Sequence, residues 1–107
     1  MMKNRVYAMF RPLNPLLHSQ LRLAVMSILM SVAEADFVYL KEKTASTAGN
    51  LSVQLDKLLT AGYITMKRVN AGRNQRTTFR ITSRGQEAFE EYVEALKDYI
   101  RAGEAGT

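Results

Sequence analysis

Hydrophobic positions along the chain follow two periods, and the change between them falls at Gly62. Before that glycine the spacing is helical. After Ser19, a residue suited to a helix cap, Leu21, Val25, Ile28, Leu29 and Val32 recur at i, i+4, i+7, i+8 and i+11, which predicts a central scaffold helix whose apolar arc Met26 and Met30 widen. Asn14-Pro15 ahead of it reads as another helix start, with Leu13, Leu16 and Leu17 on the buried side. Asp36 reads as the cap of a short helix from Phe37 to about Thr44, with Phe37 and Leu40 inward and Lys41 and Lys43 outward. Thr47 caps the next helix, where Leu51, Leu55, Leu58 and Leu59 draw one narrow stripe and Gly62 supplies the stop.

Beyond Gly62 the period drops to two. Ile64 and Met66 alternate with Thr65 and Lys67, and Thr77, Phe79 and Ile81 alternate with Thr78, Arg80 and Thr82, which predicts a β-hairpin with a flexible basic tip over 70–75. Ser83 and Gln86 then have the spacing of a capping box opening a last helix. Phe89, Val93, Leu96 and Ile100 form one stripe on it, and Ala88, Tyr92, Ala95 and Tyr99 a second. At roughly 100° per residue the two cover about 160° of the circumference, more than one small domain can bury. The second stripe is therefore expected to lie against another copy, with Phe89, Tyr92, Val93, Leu96, Tyr99 and Ile100 at a dimer interface.

The element order is helix, helix, helix-turn-helix, hairpin, helix, an α+β arrangement that is mainly helical. Its centre is two helices joined by Thr44-Ala45-Ser46, a turn without the glycine often found there. A chain of 107 residues suits one domain. We divide it into a basic and apolar arm over 1–11, a domain over 12–101 that includes the last helix, and a flexible tail over 102–107. The arm interleaves Lys3, Arg5 and Arg11 with Val6, Tyr7, Met9 and Phe10, which suits either a nucleic-acid backbone, a partner subunit or loose packing on the domain.

Charge placement sharpens the picture. The formal net charge is +5, and no acid occurs between Asp56 and Glu87, a window holding Lys57, Lys67, Arg68, Arg73, Arg76, Arg80 and Arg84. Acids gather afterwards at Glu87, Glu90, Glu91, Glu94 and Asp98, so a polyanion would find one basic side of the molecule. With no cysteine and one histidine, His18, neither a disulfide scaffold nor a thiolate or histidine metal cluster is available, and no metal or cofactor is expected. The longest apolar run, from Leu23 to Val32, contains Ser27 and Ser31 and is too short to span a bilayer; with no export signal recognised, a cytoplasmic location is expected.

Enzyme chemistry finds no support: no nucleophile has a histidine and an acid in a recognisable arrangement, and no glycine-rich phosphate loop precedes a helix. The helix over 47–61 offers something else. Away from its leucines it carries Gly49, Asn50, Val53, Lys57 and Thr60, with Ser52 and Gln54 on the flanks, a low polar ridge that can enter a groove. Asn50 and Gln54 are able to pair with adenine, Val53 to cover a thymine methyl, and Thr47 and Ser52 to serve base or phosphate. Lys57, Lys67, Arg68, Arg76 and Arg80 suit phosphates, and Arg73 at the hairpin tip suits a narrow minor groove. Structural roles compete for these residues: Asn50 and Ser52 as caps of backbone groups, Gln54 and Lys57 as plain surface, Arg68 and Arg80 as partners of acids elsewhere. A monomer offers few contacts, whereas a dimer presents two half-sites about 34 Å apart. RNA fits less well, because the deep A-form groove excludes a helix and the strands carry no aromatic platform.

Residues 14–99 resemble the small winged helix-turn-helix transcriptional regulators related to the MarR and ArsR groups. The likeness rests on LNPLLHSQLRLAVMSIL, DFVYLKEKT, GNLSVQLDKLLTAGYI and AGRNQRTTFRITSRG. It implies a three-helix core, a two-stranded wing over 63–82 and a C-terminal dimerisation helix. It also implies operator binding by a prokaryotic homodimer, with Thr47, Asn50, Ser52, Val53, Gln54 and Lys57 in the major groove and Arg73 at the wing tip. Two departures stand out: Ala48 occupies a position where relatives often have an acid, and the Cys and His pattern of metal-sensing relatives is absent. A small apolar effector held between the dimerisation and DNA-binding helices stays open, as does the alternative of a winged-helix protein-protein adaptor, since fold alone does not fix function.

Overall fold

Among residues 9–105, which the computed structural model describes, the elements run α1 (Gln20–Ser31), β1 (Ala35–Asp36), α2 (Phe37–Thr44), α3 (Ala48–Thr60), β2 (Ile64–Ala71), β3 (Asn74–Ile81) and α4 (Ser83–Ala105). The basic positions Lys3 and Arg5 of the expected arm lie outside the described residues.

Each cap has a local cause. Asp36 accepts the Tyr39 N–H at 2.8 Å and Thr47 accepts the Asn50 N–H at 3.1 Å, so α2 and α3 start where their short polar side chains satisfy a free donor. α3 stops in a Schellman turn, with Gly62 at φ +77°, its N–H on the Leu59 carbonyl and the Tyr63 N–H on that of Leu58. Ala45 takes the matching left-handed place after α2 at φ 53°, the conformation for which a glycine is commonly used.

Three expectations are corrected. Asn14-Pro15 opens only one turn, because the Asn14 carbonyl takes the Leu17 and His18 amides while Asn14 Oδ1 takes that of Leu16, and Ser19 restarts the chain as the cap of α1. The cap of α4 is Thr82, not Ser83: Thr82 Oγ1 accepts the Gly85 N–H at 3.0 Å and donates to the Gly62 carbonyl at 2.7 Å. The hairpin carries a third strand, order β1-β3-β2, because Ala35 and Asp36 pair with Phe79 and Thr78.

Leu17, Val25, Met26, Leu29, Leu40, Leu51, Leu55, Leu58, Ile64 and Phe79 form one core between the helices and the inner side of the sheet. Against it α4 lays Ala88 and Tyr92, with Ala95 buried further along beside Arg11 and Pro12, and Tyr92 Oη meets His18 Nδ1 at 2.9 Å. This reverses the expected assignment of the two stripes: Tyr92 belongs to the subunit interior and not to a face left for another copy. Outer residues fare differently. Phe89 and Val93 are half-buried, while Leu96, Tyr99 and Ile100 are 37%, 38% and 57% exposed.

The chain before α1 runs back along the distal half of α4. Arg11 donates from Nε to Asp98 Oδ2 at 2.7 Å and from its guanidinium to the Glu94 carbonyl at 2.8 Å, Tyr99 Oη donates to the Arg11 carbonyl, and Phe10 lies 5.0 Å from the Tyr99 ring. The Arg11 hydrogen bonds hold the Asp98 carboxyl at about 2. With extents of 58 × 27 × 23 Å and a radius of gyration of 16.6 Å, the molecule is longer than the roughly 13 Å radius of a rounded domain this size, because α4 and the hairpin reach past the core.

Candidate nucleic-acid interface

Leu51, Leu55 and Leu58 are at most 2% exposed and contribute roughly 1.5–3 kcal/mol each to holding α3 in place. They fix which side of the helix meets solvent. That side carries Thr47, Gly49, Asn50, Ser52, Val53, Lys57 and Thr60, all exposed, and runs about 20 Å at 1.5 Å per residue. Val53 is 53% exposed between Asn50 and Lys57, placing a pair of methyl groups in the middle of a polar surface. Asp56, also exposed, sits on the flank toward Phe37 and Met66, where its charge works against a phosphate.

Gln54 does not stand free, contrary to its expected role as a reader of bases. Its Oε1 accepts an Arg22 guanidinium N–H from α1, and its Nε2 donates to Asn50 Oδ1 at 3.1 Å. With both ends of the amide engaged and the side chain half-buried, Gln54 ties α3 to α1 instead of projecting outward. Nothing in the pattern of the sequence assigns Arg22 a part in this. The available signal is that it is the single charged residue of α1.

The hairpin distributes its cations by register. Residues paired across β2 and β3 share a side, so Arg68 with Thr77 belongs to the inner side with Met66 and Phe79, while Lys67 with Thr78, Arg76 with Val69 and Arg80 with Thr65 belong to the outer side. The expected six-residue flexible tip is a two-residue turn. Gly72 at φ +63° is followed by Arg73, and strand pairing extends to Ala71 and Asn74. Arg73 therefore stands exposed at the far end of a paired ribbon.

Arg80, expected as a phosphate contact, has an acid beside it: at the base of the hairpin its Nε meets Glu34 Oε1 at 3.2 Å, with the arginine side chain 65% exposed. Glu34 and Asp36 reach the sheet through β1, so the acid-free stretch of sequence is not acid-free in space. Lys57, Lys67, Arg68, Arg73 and Arg76 are exposed, on α3 and along the hairpin. No three His, Asp or Glu side chains converge as metal ligands among the described residues, and no helix among them is long and apolar enough to cross a membrane.

A family model described as a winged helix DNA-binding domain matches residues 21–100, and the chain belongs to that family. An uncharacterized protein of Methanocaldococcus jannaschii is 38% identical over 77 residues, covering 71% of this chain and 83% of that one. Among solved structures, a transcriptional regulator homologue protein from Pyrococcus horikoshii superposes with a TM-score of 0.76 at 29% identity, covering 81% of this chain and 86% of that one. A mutant MarR from E. coli complexed with operator DNA superposes with a TM-score of 0.64 at 19% identity, over 89% of this chain and 67% of that one. The resemblance to winged helix-turn-helix proteins is thus established, and the family is one of DNA-binding domains.

Proposed function

We propose that this winged-helix protein is a transcriptional regulator that binds a specific double-stranded DNA site as a homodimer, with α3 in the major groove and the hairpin on the backbone or in the adjacent minor groove. The observation that carries the reading is the division of α3: its leucines are buried while Thr47, Asn50, Ser52, Val53 and Lys57 share the opposite, exposed side. Asn50 and Val53 present an amide and a pair of methyls to base edges, and Thr47, Ser52 and Lys57 are suited to phosphates or bases. Arg68, Arg76 and Lys67 add charge along the ribbon, and Arg73 reaches furthest. A MarR protein of the same fold complexed with operator DNA supports duplex DNA as the partner.

The second copy is argued from α4. Leu96, Tyr99 and Ile100 remain 37%, 38% and 57% exposed on the distal half of α4, with Val93 half-buried beside them and Phe89 packed against the core. Pairing of these side chains removes them from water and presents two copies of α3 to one duplex. Such a protein acts on DNA in the cytoplasm of a prokaryotic cell.

Selection of bound duplexes from a random pool tests the reading. A palindromic site with half-sites about one helical turn apart is the expected result. No enriched sequence at any salt concentration, with the protein folded, overturns specific DNA binding and favours an adaptor role.

A further inference from the structure

The hydrogen bonds behind α3 run in a definite direction, and they begin on a half-buried residue of α1. Arg22 lies on α1 with its Nε directed to the Leu16 carbonyl and a guanidinium N–H to Gln54 Oε1. A guanidinium only donates. The oxygen of the Gln54 amide must therefore face Arg22, which turns Nε2 toward Asn50, and that nitrogen in turn must find an oxygen, Asn50 Oδ1, at 3.1 Å. Each amide has one orientation that satisfies the chain, and the arginine selects it.

We infer that Arg22 is a positioning residue for specificity: through Gln54 it holds the Asn50 amide with its oxygen inward and its N–H groups outward, so that Asn50 reads a base edge made of acceptors, guanine first. This deepens the proposed DNA binding and rests on it. Guanine presents N7 and O6, both acceptors, in the major groove; adenine presents N7 beside an N6 donor and asks the asparagine for its oxygen as well. In the free protein that oxygen already accepts from Gln54. One of the two lone pairs of that oxygen is thus taken, which weakens the adenine pairing expected from an isolated asparagine and leaves its N–H groups for guanine. The backbone of Asn50 is held in addition by Thr47, whose Oγ1 accepts the Asn50 N–H at 3.1 Å.

The test uses the full chain and duplexes derived from its selected site, with all bases substituted at each position and competition binding as the readout. The wild-type protein is expected to prefer guanine at one position per half-site. Arg22→Met, which keeps the length of the side chain and removes its donors, is expected to reduce the guanine-over-adenine preference at that position by about tenfold, the scale of a lost paired base contact, while preferences elsewhere and the salt dependence on random DNA persist. Arg22→Lys retains a donor and is expected to keep the preference. Gln54→Glu carries the sharper outcome: both carboxylate oxygens accept, the Asn50 amide turns over to donate to one of them, and the preference moves toward adenine or cytosine, which offer a donor.

A wild-type protein selective for a site whose base ranking neither Arg22→Met nor Gln54→Glu alters overturns the relay and leaves DNA recognition standing. Equal loss of affinity for every duplex, without re-ranking, also overturns it. A wild-type protein that discriminates among no duplexes removes the proposed function and the relay together. Because only the order of preference decides, a variant weakened in stability or overall charge still distinguishes these outcomes so long as thermal unfolding confirms that it is folded.

Discussion

The junction between hairpin and last helix depends on one absent methyl. Gly85 lies buried in the first turn of α4, and a Cβ added there would stand 2.1 Å from the Tyr63 carbonyl oxygen, 2.9 Å from its carbon and 3.0 Å from Ile81 Cγ1. Restoring an ordinary carbon to oxygen separation of about 3.3 Å needs more than 1 Å of movement. Neither side yields cheaply. The Tyr63 carbonyl accepts the Thr82 N–H at 3.0 Å, and the Thr82 hydroxyl joins Gly62 to Gly85. Losing two such hydrogen bonds costs about 2 kcal/mol and overpacking a further 1–3, against a helix-propensity gain for alanine over glycine of about 1. Gly85→Ala is therefore expected to destabilise the protein by about 2–4 kcal/mol, read as a lowered urea midpoint at an unchanged slope. Gly103→Ala in the same helix, where an added Cβ meets nothing within 4 Å, is expected to be neutral or stabilising by up to about 1 kcal/mol. If Gly85→Ala unfolds within about 0.5 kcal/mol of the parent, the close approach does not determine how α4 leaves the hairpin.

Four other outcomes are expected. Ala45→Gly relieves the left-handed backbone after α2 and should raise stability by about 0.5–1 kcal/mol in the same urea assay; a loss of stability would mean that the turn is unstrained. Asp98 has a folded value of about 2 against an ordinary 3.8, lowered first by the Arg11 side-chain hydrogen bond and then by the Arg11 amide. Its contribution is thus present above about pH 4 and lost as pH falls through 2, and the Arg11 amide resonance should titrate with a midpoint at about 2 in the parent and not in Asp98→Asn. Asn50→Ala should cost roughly 1–3 kcal/mol of discrimination between the selected site and random DNA, and uniform weakening on both would remove Asn50 as a reader. Arg73→Ala should weaken binding through the flanks of the site, seen by truncating the duplex on either side, and an unchanged affinity would leave the tip in solvent.

The leucines of α3 and the alternation in β2 and β3 were legible because each reports a local period set against one core. Caps set by a single residue, Asp36, Thr47 and Gly62, are legible for the same reason. The stripes of α4 were not assigned to the right partners, since periodicity gives the angle between two apolar faces and not which neighbour covers each. β1 was missed because two residues carry no alternation; its pairing with β3 exists only in three dimensions, and it brings Glu34 to Arg80. Gln54 looked like a free amide because Arg22, 32 positions earlier, gives no sign in sequence of ending beside it.

The salt dependence of duplex binding distinguishes a basic, groove-reading dimer from an adaptor. With six or more phosphates neutralised by the dimer, affinity for the selected site should fall on the order of 10³-fold between about 50 and 200 mM salt, with a logarithmic slope of about −5 or steeper. Binding to random duplex should fall in parallel, at lower affinity throughout. A flat response, or binding equal on both duplexes at every salt concentration, contradicts a basic, groove-reading dimer.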